Sequence, residues 1–252
     1  MELKNFDAKK ETENIVAWIK NWFEENGPTA NAVVGVSGGK DSSVVTTLLV
    51  RALGKERVEA VLMPKGIQPD IEDSKSLVRL LGLEGRVVNI KESVEAVEKS
   101  LLDSGLETLS EDTRINIQPR IRMTVLYAVA QSLKNGGRVA NTCNRSEDWI
   151  GYSTKYGDAA GDFSPLANYT VSEVLKIGEY LGLPDTLVHK TPSDGLSGRS
   201  DEDKIGFTYD TLDNYILNGI CEDEKTKEKI DRMHRLNLHK LKTIPTCPKS
   251  QN

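Results

Sequence analysis

Ala32-Val33-Val34-Gly35-Val36 is an unbroken apolar run that stops at Ser37-Gly38-Gly39. A strand with one face in water alternates apolar and polar residues. A short continuous run suits a parallel strand covered on both faces. Parallel strands cannot be joined by hairpins, so each needs a crossover, usually a helix. Ser42 to Leu53 supplies that helix. Arg57–Met63, Arg86–Ile90 and Gly137–Asn141 read as further strands. Residues 7–26, 74–81, 93–102 and 115–133 read as helices. The alternation predicts an α/β fold: a doubly wound, mostly parallel sheet with helices on both faces.

Residues 142–170 break the pattern. They are rich in Gly, Asp, Tyr and Ser, as expected of a long site-forming loop with one short helical piece. Helices are expected again over 171–181, 208–219 and 222–242. The polar stretch 189–204 is expected to be a mobile loop. No repeat or low-complexity tract divides the 252 residues, so a single domain over 1–252 is expected.

The net charge of −5 disfavours a broad nucleic-acid surface, which needs clustered Lys and Arg. No run approaches the ~20 apolar residues of a membrane span. Met1 to Phe6 shows no apolar signal core, so a cytoplasmic location and no membrane partner are expected. Cys143, Cys221 and Cys247 are too scattered for a disulfide framework or zinc site.

The turn Val36-Ser37-Gly38-Gly39-Lys40-Asp41-Ser42-Ser43 carries the chemistry. Paired glycines let the backbone approach a ligand closely. The helix that follows directs unpaired N–H groups and its positive end at that space. Serine hydroxyls add donors, and the whole is an anion cradle suited to phosphate. It is neither a Walker A loop nor Gly-x-Gly-x-x-Gly, since both the spacing and the residue after Lys40 are wrong. The Asp41 carboxylate would repel a bare phosphate and makes better sense as a magnesium ligand. Glu147 follows the fourth strand at the same sheet end and can share that ion.

Ser-Gly-Gly-x-Asp-Ser after a first strand resembles the pyrophosphate-holding loop of the ATP pyrophosphatase superfamily. The second half narrows the likeness. Asn141-Thr142-Cys143-Asn144-Arg145-Ser146-Glu147, Gly151 to Asp158 with Thr154-Lys155-Tyr156-Gly157, and Asp162-Phe163-Ser164-Pro165 follow in order. So do Arg120-Ile121-Arg122-Met123, Thr191-Pro192-Ser193-Asp194-Gly195, Asp201-Glu202, Ile205-Gly206-Phe207 and His239-Lys240. Together they resemble the ammonia-dependent NAD synthetases over nearly the whole chain.

The resemblance implies an adenine nucleotide alpha hydrolase-like fold. It also implies ATP-dependent amidation of deamido-NAD by ammonia, through an acyl-adenylate, giving NAD, AMP and pyrophosphate. ATP as co-substrate, Mg2+ and a homodimer go with it. The dimer contacts are expected from the 7–26 and 115–133 helices. Carried over residue by residue, Asp41, Glu147 and Lys155 form the catalytic set, with Asp41 and Glu147 on the metal. Gly35, Val36, Ser37, Gly38, Gly39, Lys40, Asp41, Ser42, Thr142 and Ser193 meet ATP. Arg120, Lys155, Asp162, His239 and Lys240 meet deamido-NAD. Asp158 and Asp162 are the carboxylates considered as acceptors of the ammonium proton. The 189–204 segment is the expected lid. His189 and His234 are read as structural.

Two departures from the family pattern stand out. Val171 occupies a place where a phosphate-binding Lys is common, so that either another cation, Lys190 or Arg199, takes over or the contact is absent. Ala159 and Ala160 replace glycines, so a positive φ there would be strained. The absence of an amino-terminal cysteine domain points to free ammonia, not glutamine, as nitrogen donor. Two rivals share the loop. One is a tRNA-modifying enzyme, which would want a basic surface. The other is a nucleotide-binding regulator without turnover, against which intact Asp41, Thr142, Glu147 and Lys155 argue.

Overall fold

The computed structural model describes residues 3, 6–68, 71–190 and 200–249. Four parallel strands, β1 (Asn31–Gly35), β2 (Val58–Leu62), β3 (Arg86–Val87) and β4 (Gly137–Val139), form one sheet in the order β3-β2-β1-β4. Val34 lies beside Ala60, and Val33 lies beside Val139. The chain therefore steps outward from β1 to β3, then returns to the far side of β1. That reversal opens a crevice at the carboxyl ends of β1 and β4, where doubly wound sheets bind ligands.

Helices cover both faces, as the unbroken apolar runs require. Ala32, Val34, Val58, Ala60 and Leu62 point into a core shared with α1 (Ala8–Asn26), α2 (Lys40–Leu53) and α7 (Val171–Tyr180). Phe163, within the 142–170 segment, joins this core stacked on Trp22 at 4.6 Å. Val33, Val61 and Val139 turn the other way, onto Met123, Leu126 and Ala130 of α5 (Glu111–Ser132). Between β2 and α5 lie α3 (Ile71–Leu80) and α4 (Lys91–Asp103).

α8 (Asp185–Val188) adds Leu187 and Val188 to the first core, and a second body of helices is built from α6 (Arg145–Ile150), α9 (Asp201–Ile205), α10 (Tyr209–Asn218) and α11 (Glu224–Leu241). Its core contains Ile150, Val171, Ile205, Phe207, Leu212 and Ile230. The Val171 side chain is thus buried in apolar surroundings.

Several boundaries differ from expectation. The third strand keeps only Arg86–Val87 of the predicted 86–90. Val88 and Ile90 still donate to the Leu62 and Pro64 carbonyls. The Asn89 side chain, however, accepts from the Gly66 and Lys91 amides and bends the chain into α4. α5 starts at Glu111, not 115, because the Ser110 hydroxyl caps it by accepting from the Thr113 amide. α3 likewise starts three residues early. Of the expected 189–204 loop, residues 191–199 lie outside the described residues. Residues 201–205 are helical, started by a Ser200–Asp203 capping box.

Candidate active site

The β1–α2 turn is held open by its own serines. The Ser42 hydroxyl accepts from the Ser37 amide at 3.2 Å and pairs with the Ser37 hydroxyl at 3.0 Å. The Ser43 hydroxyl donates to the Gly39 carbonyl at 2.8 Å. Gly38 has φ +80°, and a Cβ there would meet the Ser74 amide nitrogen at 2.8 Å. Glycine is therefore needed for both conformation and space. Gly39 precedes α2 and offers it no side-chain cap, so the first amides of the helix are available to an anion.

Across from this turn, α6 is locked by a capping box. The Asn144 Oδ1 accepts from the Ser146 and Glu147 amides, each at 3.0 Å, and Glu147 accepts from the Asn144 amide. The Asn144 amide group then reaches over to donate to Asp41 Oδ1 at 3.0 Å. Asp41 and Glu147, 106 positions apart in sequence, are thereby brought to one place. The Lys40 ammonium joins them, 2.9 Å from Asp41 Oδ2 and 4.0 Å from Glu147 Oε1. Burial and the neighbouring Asp41 charge push Glu147 up to about 8, against the pull of Lys40. Burial works against the Lys40 charge, but Asp41 and Glu147 outweigh it and hold its pKa above the ordinary lysine value. Among the described residues, no three His, Cys, Asp or Glu are grouped to hold a metal. A metal at this pair needs further oxygens from a ligand.

Both acids line a cavity of about 1020 Å³ that also takes in Gly35, Val36, Ser37, Gly39 and Thr142. Such a volume accommodates more than one small ligand. Lys190 lines it as well, paired with Asp73 at 2.6 Å. Ser193 and Arg199 lie outside the described residues. Cys143 is buried beside the acids; burial and then Glu147 push its thiol well above the ordinary value, so it is no nucleophile.

The residues expected to meet the acid substrate are held mostly by backbone carbonyls. Arg120 Nε donates to the Lys155 carbonyl at 3.3 Å, and Lys155 Nζ to the His239 carbonyl at 3.2 Å. Lys240 Nζ donates to the carbonyls of Gly151 and Ser153 at 2.7 and 3.0 Å. These three side chains and the His239 carbonyl thus gather at one edge, tying α11 to the 151–157 loop. Asp162 stands apart from them. It accepts from the Val139 amide at 2.7 Å and the Tyr127 hydroxyl at 3.0 Å, bracing the end of β4. Asp158 is on the cavity wall and accepts from the Thr154 amide; burial raises its pKa despite that bond. Among the described residues the one non-glycine with positive φ is Tyr156, at 63°. Ala159 and Ala160 carry no such strain. His234 stacks on Trp149 at 4.2 Å and bonds the Trp149 carbonyl, a structural contact.

Reading the sequence alone missed three things. Asn144 bridges to Asp41, and Gln118 and Arg122 line the cavity from α5. The last two share a helix face with Leu126, a four-residue spacing that was available to read. Lys240→Met should free the two loop carbonyls it holds. The expected loss is about 1–2 kcal/mol of stability, read as a Tm lower by several degrees in thermal melts.

Comparison with known proteins bears on this arrangement. The family model described as NAD synthase matches residues 11–252. An NH(3)-dependent NAD(+) synthetase from Thermococcus sibiricus is 39% identical over 98% of this chain and 94% of its own length. One from Carboxydothermus hydrogenoformans is 40% identical over 95% of this chain and 97% of its own. Among solved structures, NMN synthetase from Francisella tularensis superposes with a TM-score of 0.87 at 32% identity, covering 96% of this chain and 99% of that one. The NH3-dependent NAD synthetase from Campylobacter jejuni gives 0.77 at 31% identity, covering 96% and 99%. With its parallel sheet, its serine-glycine turn and the match over nearly its full length, the chain belongs to the NAD synthase family.

Proposed function

We propose that this chain, acting as a single synthetase domain over residues 1–252, converts deamido-NAD, ATP and ammonia to NAD, AMP and pyrophosphate. The observation that carries the reading is the convergence of Asp41 and Glu147 beside the β1–α2 turn. The nicotinate carboxylate attacks the α phosphorus of ATP, and pyrophosphate leaves. Ammonia then attacks the acyl-adenylate carbonyl and AMP leaves. The substrate supplies the nucleophile, so the protein's task is alignment and charge stabilisation.

Asp41 and Glu147 fit magnesium. Both are hard oxygen donors, and both reach one ammonium, so their oxygens converge on a single cation. When bound, magnesium would neutralise charge growing on the departing pyrophosphate. The turn amides and the Ser37 and Ser42 hydroxyls hold the same phosphates. Thr142 and Gly35 line the nucleotide side of the cavity. Arg120, Lys155, His239 and Lys240 do not line that cavity; we assign them to the acid substrate on the family resemblance, at the edge where α11 meets the 151–157 loop. Asp158 is the better placed of the two carboxylates to take the ammonium proton, because Asp162 is engaged by Tyr127 and Val139. No described helix is long and apolar enough to cross a membrane. We take the working form to be a cytoplasmic homodimer with α1 and α5 as interface helices.

The test is incubation with ATP, Mg2+, ammonium and deamido-NAD, with NAD and AMP expected in equal amounts. AMP release with tRNA but not with deamido-NAD would overturn the reading. A second reading is favoured by the superposition on an NMN synthetase, whose TM-score exceeds that of the NAD synthetase neighbour. On that reading the acid is the nicotinate mononucleotide. The ratio of kcat/KM for mononucleotide over dinucleotide acid decides between them.

A further inference from the structure

Lys40 is the feature the reaction does not by itself explain. Its side chain is only 5% exposed, although lysine keeps its ammonium in water wherever it can. The ammonium lies against Asp41 at 2.9 Å, 4.0 Å from Glu147 and over the Tyr209 ring at 5.6 Å. Tyr209 is itself buried, and its hydroxyl has no hydrogen-bond partner among the described residues. Two carboxylates and an aromatic face thus surround one positive charge. The two carboxylates are the pair assigned above to the divalent ion.

We propose that Lys40 is a built-in counter-cation that competes with the divalent ion for Asp41 and Glu147, so that metal binds tightly only together with nucleotide. The inference rests on the metal assignment just made. Ion and ammonium need the same carboxylate oxygens, and like charges this close repel strongly. Two carboxylates alone are a weak set for magnesium, which draws further oxygens from substrate phosphates. ATP changes the balance twice over. It adds those oxygens to the metal, and it offers the displaced ammonium an anionic partner. A lysine can make that exchange because its charge is a point on a flexible stem. The device keeps the acid pair from repelling itself apart, and it ties metal entry to nucleotide entry.

The probe is Mn2+ in the whole protein, with free ion counted by electron paramagnetic resonance, without nucleotide and with α,β-methylene-ATP. Without nucleotide, Lys40→Met and Lys40→Gln should bind Mn2+ at least about tenfold more tightly than the unaltered protein, about 1.4 kcal/mol. Lys40→Arg keeps the charge and should stay weak. Adding Asp41→Asn to Lys40→Met should erase the gain. Circular dichroism confirms that each variant is folded, and the glutamine variant serves if the methionine one is not. Equal Mn2+ affinity in the unaltered, Met and Gln proteins overturns the proposal. If Asp41→Asn still loses nucleotide-dependent Mn2+ in that case, the metal assignment survives. If Asp41→Asn and Glu147→Gln both hold Mn2+ and nucleotide normally, the assignment fails and the counter-cation role with it.

Discussion

Asp41→Asn should lower NAD formation by at least about 10³-fold while leaving the fold intact. The change is nearly isosteric, and the new amide oxygen can still accept from Asn144, now at 3.0 Å from Asp41 Oδ1. What it removes is one negative charge from the pair proposed to hold a divalent ion. Loss of one preorganised electrostatic group commonly costs about 10²–10³ in rate. On the proposed reading the group also holds a metal, so the loss belongs at or above that range. Exchange of labelled pyrophosphate into ATP isolates the first step and should fall in parallel with NAD formation. Glu147→Gln should give a similar loss, and the double variant little more, because residues that act as a unit are not additive. Exchange within a few-fold of normal in Asp41→Asn, with an unchanged circular dichroism spectrum, would remove both acids from the proposed chemistry.

The sheet was legible in the chain because its strands are buried on both faces. Val33, Val34, Val61 and Val139 leave little ambiguity, and the glycine turn marks where β1 must end. The edge was harder to read. β3 has its two residues exposed, so apolar content says little about its length, and a side-chain bond from Asn89 ends it. Capping signals at Ser110 and Ser200–Asp203 were present in the sequence and outranked the apolar spacing that set the expected boundaries. Within the site, the glycine turn and the acid pair could be named from motif order. Their connection through Asn144 could not, because a contact across 103 positions depends on how α6 docks against α2. The same holds for Lys240 and Asp162. Sequence marks them as polar residues in a site segment, while their bonds to Gly151, Ser153, Tyr127 and Val139 follow from packing.

Asp213→Ala should be the most destabilising single change in the helical half, costing about 3–5 kcal/mol, the scale for removing one member of a buried charged network. Asp213 is fully buried. One oxygen accepts from the Ser146 hydroxyl, and the other from the Ser172 amide and hydroxyl at 2.7 and 2.6 Å. The Ser146 hydroxyl in turn accepts from the Val171 amide at 3.1 Å. A carboxylate on α10 thus completes the start of α7 and pins α6, the helix that carries Glu147. Burial raises the Asp213 pKa, and the serine donors oppose that shift. Alanine would leave two hydroxyls and one helix-start amide without their acceptor, and each such group carries its own desolvation cost. Asp213→Asn keeps the shape and one acceptor oxygen, so its cost should be smaller. In urea titrations the alanine variant should unfold at a clearly lower midpoint. Metal binding in the presence of nucleotide should weaken with it, because Glu147 loses its support. A midpoint within error of the unaltered protein would mean that α6 and α7 are held by their apolar contacts alone. In that case Glu147 would owe its position to the Asn144 capping box, not to the acid beneath it.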